Sequence, residues 1–327
     1  MSTNGTKVYD YTSVRVVAST VSFIILAFFN LIINWSILRD ERLRSQARFV
    51  LVFHLLFSAL VYFGVCCAFY LQIQIGARTP AAVCQAVITI LITSASNILL
   101  TLTAMALDRY FAICFPLKYS STCCVQWPWL VGLLTWGLAL VTPLSLLAKT
   151  EGVLVRERCG REQLKKGEFH KITLISLCAL LILFSYCRIL QESRRLGVLN
   201  RRNRVGCRTI AMHGAQLAVY IVPNFVNFVL HILQKYGYLN PGPKEQFGVI
   251  NFAFFSLAQC IAPIVYGLRK EELLEQLYNR FPCLSCHFKS VLEWTVRATQ
   301  PRIRPQARER VMTSQRLMSI DLPRTAV

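Results

Sequence analysis

The chain has 327 residues, 54% of them apolar and only 16% charged, with a mean hydropathy of +0.46. That balance excludes one large or two ordinary water-soluble domains, whose surfaces need more charge, and fits a chain solvated by a bilayer. The net charge of +20 does not indicate nucleic-acid binding, because Lys and Arg sit between long uncharged stretches and no nucleic-acid recognition module is present.

In chain order, the polar segment 1–13 carries the sequon Asn4-Gly5-Thr6 and lacks the features of a cleavable leader. Stretches free of Asp, Glu, Lys and Arg then cover 16–38, 49–77, 79–107, 119–148, 172–187, 209–234 and 246–268. A spanning helix needs about 17–25 residues, so six qualify outright. The fifth has 16 residues and is bounded by Lys171 and Arg188, whose stems can snorkel to the two interfaces, so it too is read as a span. The expected fold is an all-α membrane protein, a bundle of seven transmembrane helices over 14–268. An amphipathic helix over 269–286 lies on the inner leaflet, with Leu273, Leu274, Leu277 and Phe281 at helical spacing. Residues 287–327 read as a disordered basic tail.

Orientation follows from the sequon and the basic residues. A glycosylated Asn4 requires an extracellular N-terminus, and an odd number of crossings then places the C-terminus in the cytoplasm. This puts 24 of the 36 Lys and Arg inside, in line with the positive-inside rule. The thirteen cysteines, many within apolar runs, form neither a disulfide framework nor a metal-ligand spacing. No metal or cofactor is expected, and no nucleophile–base constellation suggests an enzyme. Cys283 and Cys286 are palmitoylation candidates. The C-terminal Thr325-Ala326-Val327 resembles a PDZ-domain ligand.

Polar residues within the sixth stretch form one stripe. His213, Gln216, Tyr220, Asn224, Asn227 and His231 are 3, 4, 4, 3 and 4 residues apart. At 100° per residue they share an arc of about 80°, with Pro223 beside them as a kink. The third stretch carries Thr89, Thr93, Ser96 and Thr103, with Asn97 on the flank. Two facing stripes would line a cleft in the outer half of the bundle. A small ligand there would meet Ile92, Ser96, Tyr220, Asn224, Asn227, Phe228, His231, Phe252 and Phe255, with Phe225 as further aromatic surface. The outer halves lack a carboxylate, which disfavours an ammonium ligand. His170, Lys171 and His231 suit an anionic or hydrogen-bonding one.

The inner end of the third stretch reads Met105-Ala106-Leu107-Asp108-Arg109-Tyr110-Phe111-Ala112-Ile113-Cys114-Phe115-Pro116-Leu117-Lys118-Tyr119. It resembles the odorant receptor signature M-A-x-D-R-Y-x-A-I-C-x-P-L-x-Y at every fixed position. Asn30, Ser185-Tyr186, Thr209, His213 and Pro263 through Arg269 resemble other family motifs, so the likeness covers residues 14–285. The chain therefore resembles the rhodopsin-like (class A) G protein-coupled receptors, and the fish odorant receptors in particular. That resemblance implies binding of an odorant or pheromone-like molecule at the plasma membrane of olfactory cilia. It also implies coupling to a heterotrimeric G protein of the stimulatory, olfactory type, with arrestin as a further partner. Activation would rest on Asp108, Arg109, Tyr110, Tyr186, His213 and Tyr266, with Asp108 holding Arg109 in the inactive state. A disulfide would join Cys84 to Cys159.

Four departures stand out. Ser58-Ala59 replaces the family's Asn-Asp, removing the sodium-binding carboxylate. Ala262 replaces the asparagine before Pro263, Ile221 the aromatic before Pro223, and the second outer loop has a single cysteine. Raised basal activity or weak coupling would follow from these. A non-olfactory class A receptor is the closest alternative. A transporter would need buried charges, broken helices or inverted repeats, and none is evident.

Overall fold

The computed structural model describes residues 11–77, 79–122, 127–148, 168–195 and 241–263, together with 218, 222, 225, 226, 229, 230, 232, 233 and 236–238. Its principal elements are α1 (Thr12–Arg39), α2 (Glu41–Arg44), α3 (Ala47–Ile75), α4 (Ala81–Cys114), α5 (Pro116–Thr122), α6 (Trp127–Ala148), α7 (Glu168–Arg195) and α8 (Pro241–Ala262). Five of them (α1, α3, α4, α6 and α7) contain segments long and apolar enough to cross a membrane, and Gln246–Ala262 of α8 is a shorter apolar helix.

Local chemistry sets the breaks. α1 stops at Asp40, which is extended; its carboxylate accepts the Arg42 backbone N–H at 2.8 Å and so starts α2. α3 ends at Gly76, whose φ of 70° lies in the left-handed region, and the Gly76 and Ala77 N–H groups return to Ile73 and Gln72. The Gln72 side chain also donates to Thr79, which ties the turn to the approach of α4. Pro116 opens α5, where its missing N–H leaves no intrahelical bond unmade.

Packing makes α4 the axis. It contacts α3, α6 and α7, while α1 lies across α3 and α8, and α3 also meets α6. The main core joins Leu26 and Ile33 of α1, Leu55 and Phe63 of α3, Ile98 and Leu102 of α4, Ile182 of α7 and Ala258 of α8. The outside is apolar too. On α1, Val14, Val17, Val21, Ile24, Phe28, Leu31, Trp35 and Leu38 are all exposed at alternating spacings of 3 and 4, one ridge along the whole helix. Such a ridge is tolerated in hydrocarbon and not in water. Hydroxyls within these helices bond back to their own backbone, as Ser36 does to Ile32 O at 2.8 Å and Ser185 to Leu181 O at 2.7 Å.

Some expected boundaries shift. The stretch read as one span over 119–148 is divided between α5 and α6. The fifth helix runs from Glu168 to Arg195, 28 residues, well beyond its 16-residue uncharged core. A helix continues through Lys171 and Arg188 because backbone bonding is indifferent to a charge that can reach the interface. Most of the sixth stretch, the helix expected over 269–286 and the tail lie outside the described residues, as do Asn4, Cys283 and Cys286.

Gly132 leaves no room for a side chain. A Cβ on Gly132 of α6 would collide with the His54 imidazole of α3, while one on Gly137 would meet nothing within 4 Å. Gly132→Ala should therefore cost about 1–3 kcal/mol through overpacking. Gly137→Ala should be neutral or gain up to about 1 kcal/mol from helix propensity. Melting temperatures of the two purified variants check the pair, and equal values would contradict this packing.

Candidate functional site

At the inner end of α4 the helix register brings Asp108, Arg109 and Tyr110 to half-buried positions. The Asp108 carboxylate accepts a hydrogen bond from Tyr119 Oη of α5 at 2.7 Å. Among the described residues Asp108 makes no ion pair with Arg109, so the expected Asp108–Arg109 restraint is replaced by a bond to α5. The reason is geometric: adjacent helical residues point about 100° apart, whereas Tyr119 follows the break at Phe115 and folds back. Arg109 instead lies within electrostatic reach of Tyr186 on α7, which packs at the edge of the main core. Tyr110 meets Phe184 of α7 edge to face at 5.9 Å. Cys114 Sγ lies 4.0 Å from Arg188 O, a further link between the two helices. His213 and Tyr266 lie outside the described residues.

The outer half has a different character. Phe252 and Phe255 of α8 join Tyr62, Phe63 and Tyr70 of α3 in an aromatic cluster, with Phe63–Phe255 centroids 6.0 Å apart and Tyr70–Phe252 5.8 Å. Phe252 also borders the small core formed by Cys66, Phe69 and Tyr70 of α3 with Leu91 of α4, against which Val87 and Ile88 pack as well. Ile92 and Ser96 are buried on α4, and His170 is half-buried near the start of α7. Tyr220, Asn224, Asn227, Phe228 and His231 lie outside the described residues. Phe225 is 59% exposed and faces away from the interior, contrary to its expected place beside the ligand.

The α4 stripe is divided in its use. Asn97 donates to Ser58 Oγ of α3 at 2.6 Å, and Thr103 bonds back to Leu99 O at 2.9 Å. These two stitch helices or backbone, while Thr93 and Ser96 are buried. Where a carboxylate was noted as missing, Ala59 is fully buried in the core. Cys84, in the first turn of α4, is disulfide-bonded; Cys159 lies outside the described residues. Sequence reasoning missed Tyr119 as the partner of Asp108 and the α3 aromatics. It also missed Arg15, which is buried at the outer end of α1 with its guanidinium 5.9 Å over the Tyr70 ring. A charged residue near a span end reads as a boundary marker, so no sequence signal set Arg15 apart.

Comparison with known proteins adds an independent line. The family described as 7 transmembrane receptor (rhodopsin family) matches residues 29–266. Human Olfactory receptor 51G2 is 26% identical over 200 residues, 55% of this chain and 62% of that protein. Odorant receptor 131-2 of Danio rerio is 25% identical over 54% of this chain and 58% of its own length. The match thus spans about three-fifths of these two relatives. Human Probable G-protein coupled receptor 148 is 22% identical over 76% of each chain.

Proposed function

The chain belongs to the rhodopsin family of seven-transmembrane receptors, and from that premise we propose that it is a chemosensory receptor. It binds a small odorant or pheromone-like molecule in the outer half of its bundle and activates a heterotrimeric G protein at the inner end. The observation that carries this reading is the arrangement at the foot of α4. There a half-buried Arg109 sits near Tyr186, while its neighbour Asp108 is held by Tyr119. A guanidinium kept from full hydration and not paired to the adjacent carboxylate is poised to engage an incoming partner.

In this reading seven helices cross the plasma membrane, with the glycosylated N-terminus outside and the basic tail inside. Cys84 pairs with Cys159. Ile92, Ser96, His170, Tyr220, Asn224, Asn227, Phe228, His231, Phe252 and Phe255 contact the ligand, while Tyr110, Tyr186, His213 and Tyr266 stabilise the active arrangement. The exposed Ala218, Val222, Phe225 and Val226 support the inward orientation of the polar stripe, since helical counting puts them on the opposite face. Lipidation at Cys283 and Cys286, arrestin, and a PDZ domain on the C-terminus complete the cytoplasmic side. The ligand shifts a pre-existing equilibrium: a tenfold preference for the active state supplies about 1.4 kcal/mol.

The likeness to Probable G-protein coupled receptor 148, which extends further along the chain, favours one alternative: a class A receptor for a small molecule that is not an odorant. Both readings are tested by expressing the chain with a promiscuous G protein and recording second messengers across neutral, anionic and amine-bearing odorants. Saturable responses to anionic or neutral members support the chemosensory reading. Silence across the panel, with the receptor at the cell surface and endogenous metabolites active, would favour the alternative.

A further inference from the structure

Away from both sites, the junction of α3, α4 and α6 holds a group of buried polar atoms with no hydrogen-bond partner: His54 Nδ1 and Nε2, Asn97 Oδ1 and Thr101 Oγ1. Their relative placement follows from the Asn97–Ser58 bond at 2.6 Å. α3 and α4 run antiparallel through it, so one helical turn towards the inner end brings α3 to His54 and α4 to Thr101. The third wall is α6. There the His54 imidazole lies over Gly132 and stands edge-on to Trp129, with ring centroids 5.7 Å apart at 70°. His54 is 5% exposed, and Asn97 and Thr101 are fully buried.

In a bilayer such atoms are costly, because no bulk solvent reaches them. Local relief is available in principle: Ser94 and Thr103 of the same helix donate to Ile90 O and Leu99 O, but Thr101 makes no such bond. The Ser58 hydroxyl is already used, donating to His54 O at 2.6 Å and accepting from Asn97. What remains is two donors, the imidazole N–H and the Thr101 O–H, and three acceptors, the other ring nitrogen, Asn97 Oδ1 and Thr101 Oγ1. A water molecule donates two hydrogen bonds and accepts two, which complements this set. A cation does not fit. Neither α3 nor α6 contains an acidic residue, and Asp108 of α4, two turns below Thr101, is engaged by Tyr119.

We propose that this junction is a hydration site, in which one or two ordered waters bound by His54, Asn97 and Thr101 join α3 to α4 where α6 covers them. The waters supply the bonds that these polar atoms do not make with one another.

The test uses the full-length purified chain in lipid nanodiscs. Removing one water ligand leaves the others unsatisfied, whereas removing two together removes the demand as well. His54→Phe and Thr101→Val should each lower the melting temperature by several degrees, and the double variant by clearly less than their sum. Additive losses would overturn the proposal. Should His54→Phe not fold, Thr101→Val must destabilise while Thr101→Ser, which keeps the hydroxyl, leaves the melting temperature unchanged; equal effects would overturn it. Replacing NaCl by equimolar choline chloride should leave the wild-type value unchanged, and a sodium-dependent shift would show a cation instead. An experimental map that resolves waters should show density within hydrogen-bond distance of at least two of the named atoms, and a dry junction would sink the idea.

Discussion

Alanine at position 109 is expected to abolish ligand-driven second-messenger output while leaving the protein at the cell surface. The guanidinium is half-buried at the inner end of α4, near Tyr186, and the adjacent carboxylate is occupied by Tyr119. Truncation therefore leaves no neighbouring acid suddenly unpaired, so the fold should survive. What disappears is the donor that would engage the G protein. A loss of tenfold or more in potency corresponds to about 1.4 kcal/mol withdrawn from the active complex. Arg109→Lys should fall between wild type and alanine, because an ammonium keeps the charge but not the planar fork. Dose–response curves normalised to surface antibody binding give the measurement. Full output from the alanine variant would remove Arg109 from the mechanism.

Serine at position 84 is expected to have the largest effect on stability. Cys84 lies in the first turn of α4, the helix that contacts α3, α6 and α7, and it is 5% exposed and disulfide-bonded. Cutting that link frees the outer end of the central helix. For pairing with Cys159, loop-closure entropy puts the cost on the order of 4 kcal/mol. Surface expression should collapse, and any purified variant should melt well below wild type. Cys159→Ser should behave alike, and the double variant should be no worse than either single one, since one covalent bond is lost in all three. If Cys159→Ser left stability untouched, another cysteine would be the partner.

Much of this architecture is written in hydropathy. The runs that became α1, α3 and α4 are long, uncharged and bounded by charged residues, and the helices follow them to within a few residues at most ends. The failures have a common origin. Hydropathy sees the transfer of side chains and not backbone geometry, so it merged α5 with α6 across Ser120, Ser121 and Thr122, which are uncharged and close α5. The same blindness shortened α7, whose helix persists through charges that reach the interface. At the inner site, the signature located Asp108 and Arg109, but adjacency in sequence suggested a pairing that a helix disfavours. Asp108 turned instead to Tyr119, eleven residues on. His54 was invisible for a related reason: one histidine in an apolar run has no periodicity, and only three-dimensional packing sets it over Gly132.

The buried alanine at position 59 has an electrical consequence. A transmembrane voltage does work on an elementary charge of about 2.3 kcal/mol per 100 mV for full passage across the bilayer. Among the described residues, charged side chains lie near the ends of the long helices, and their middle turns carry none. Depolarising the cell thus finds no mobile charge to displace in the described midsection of the bundle.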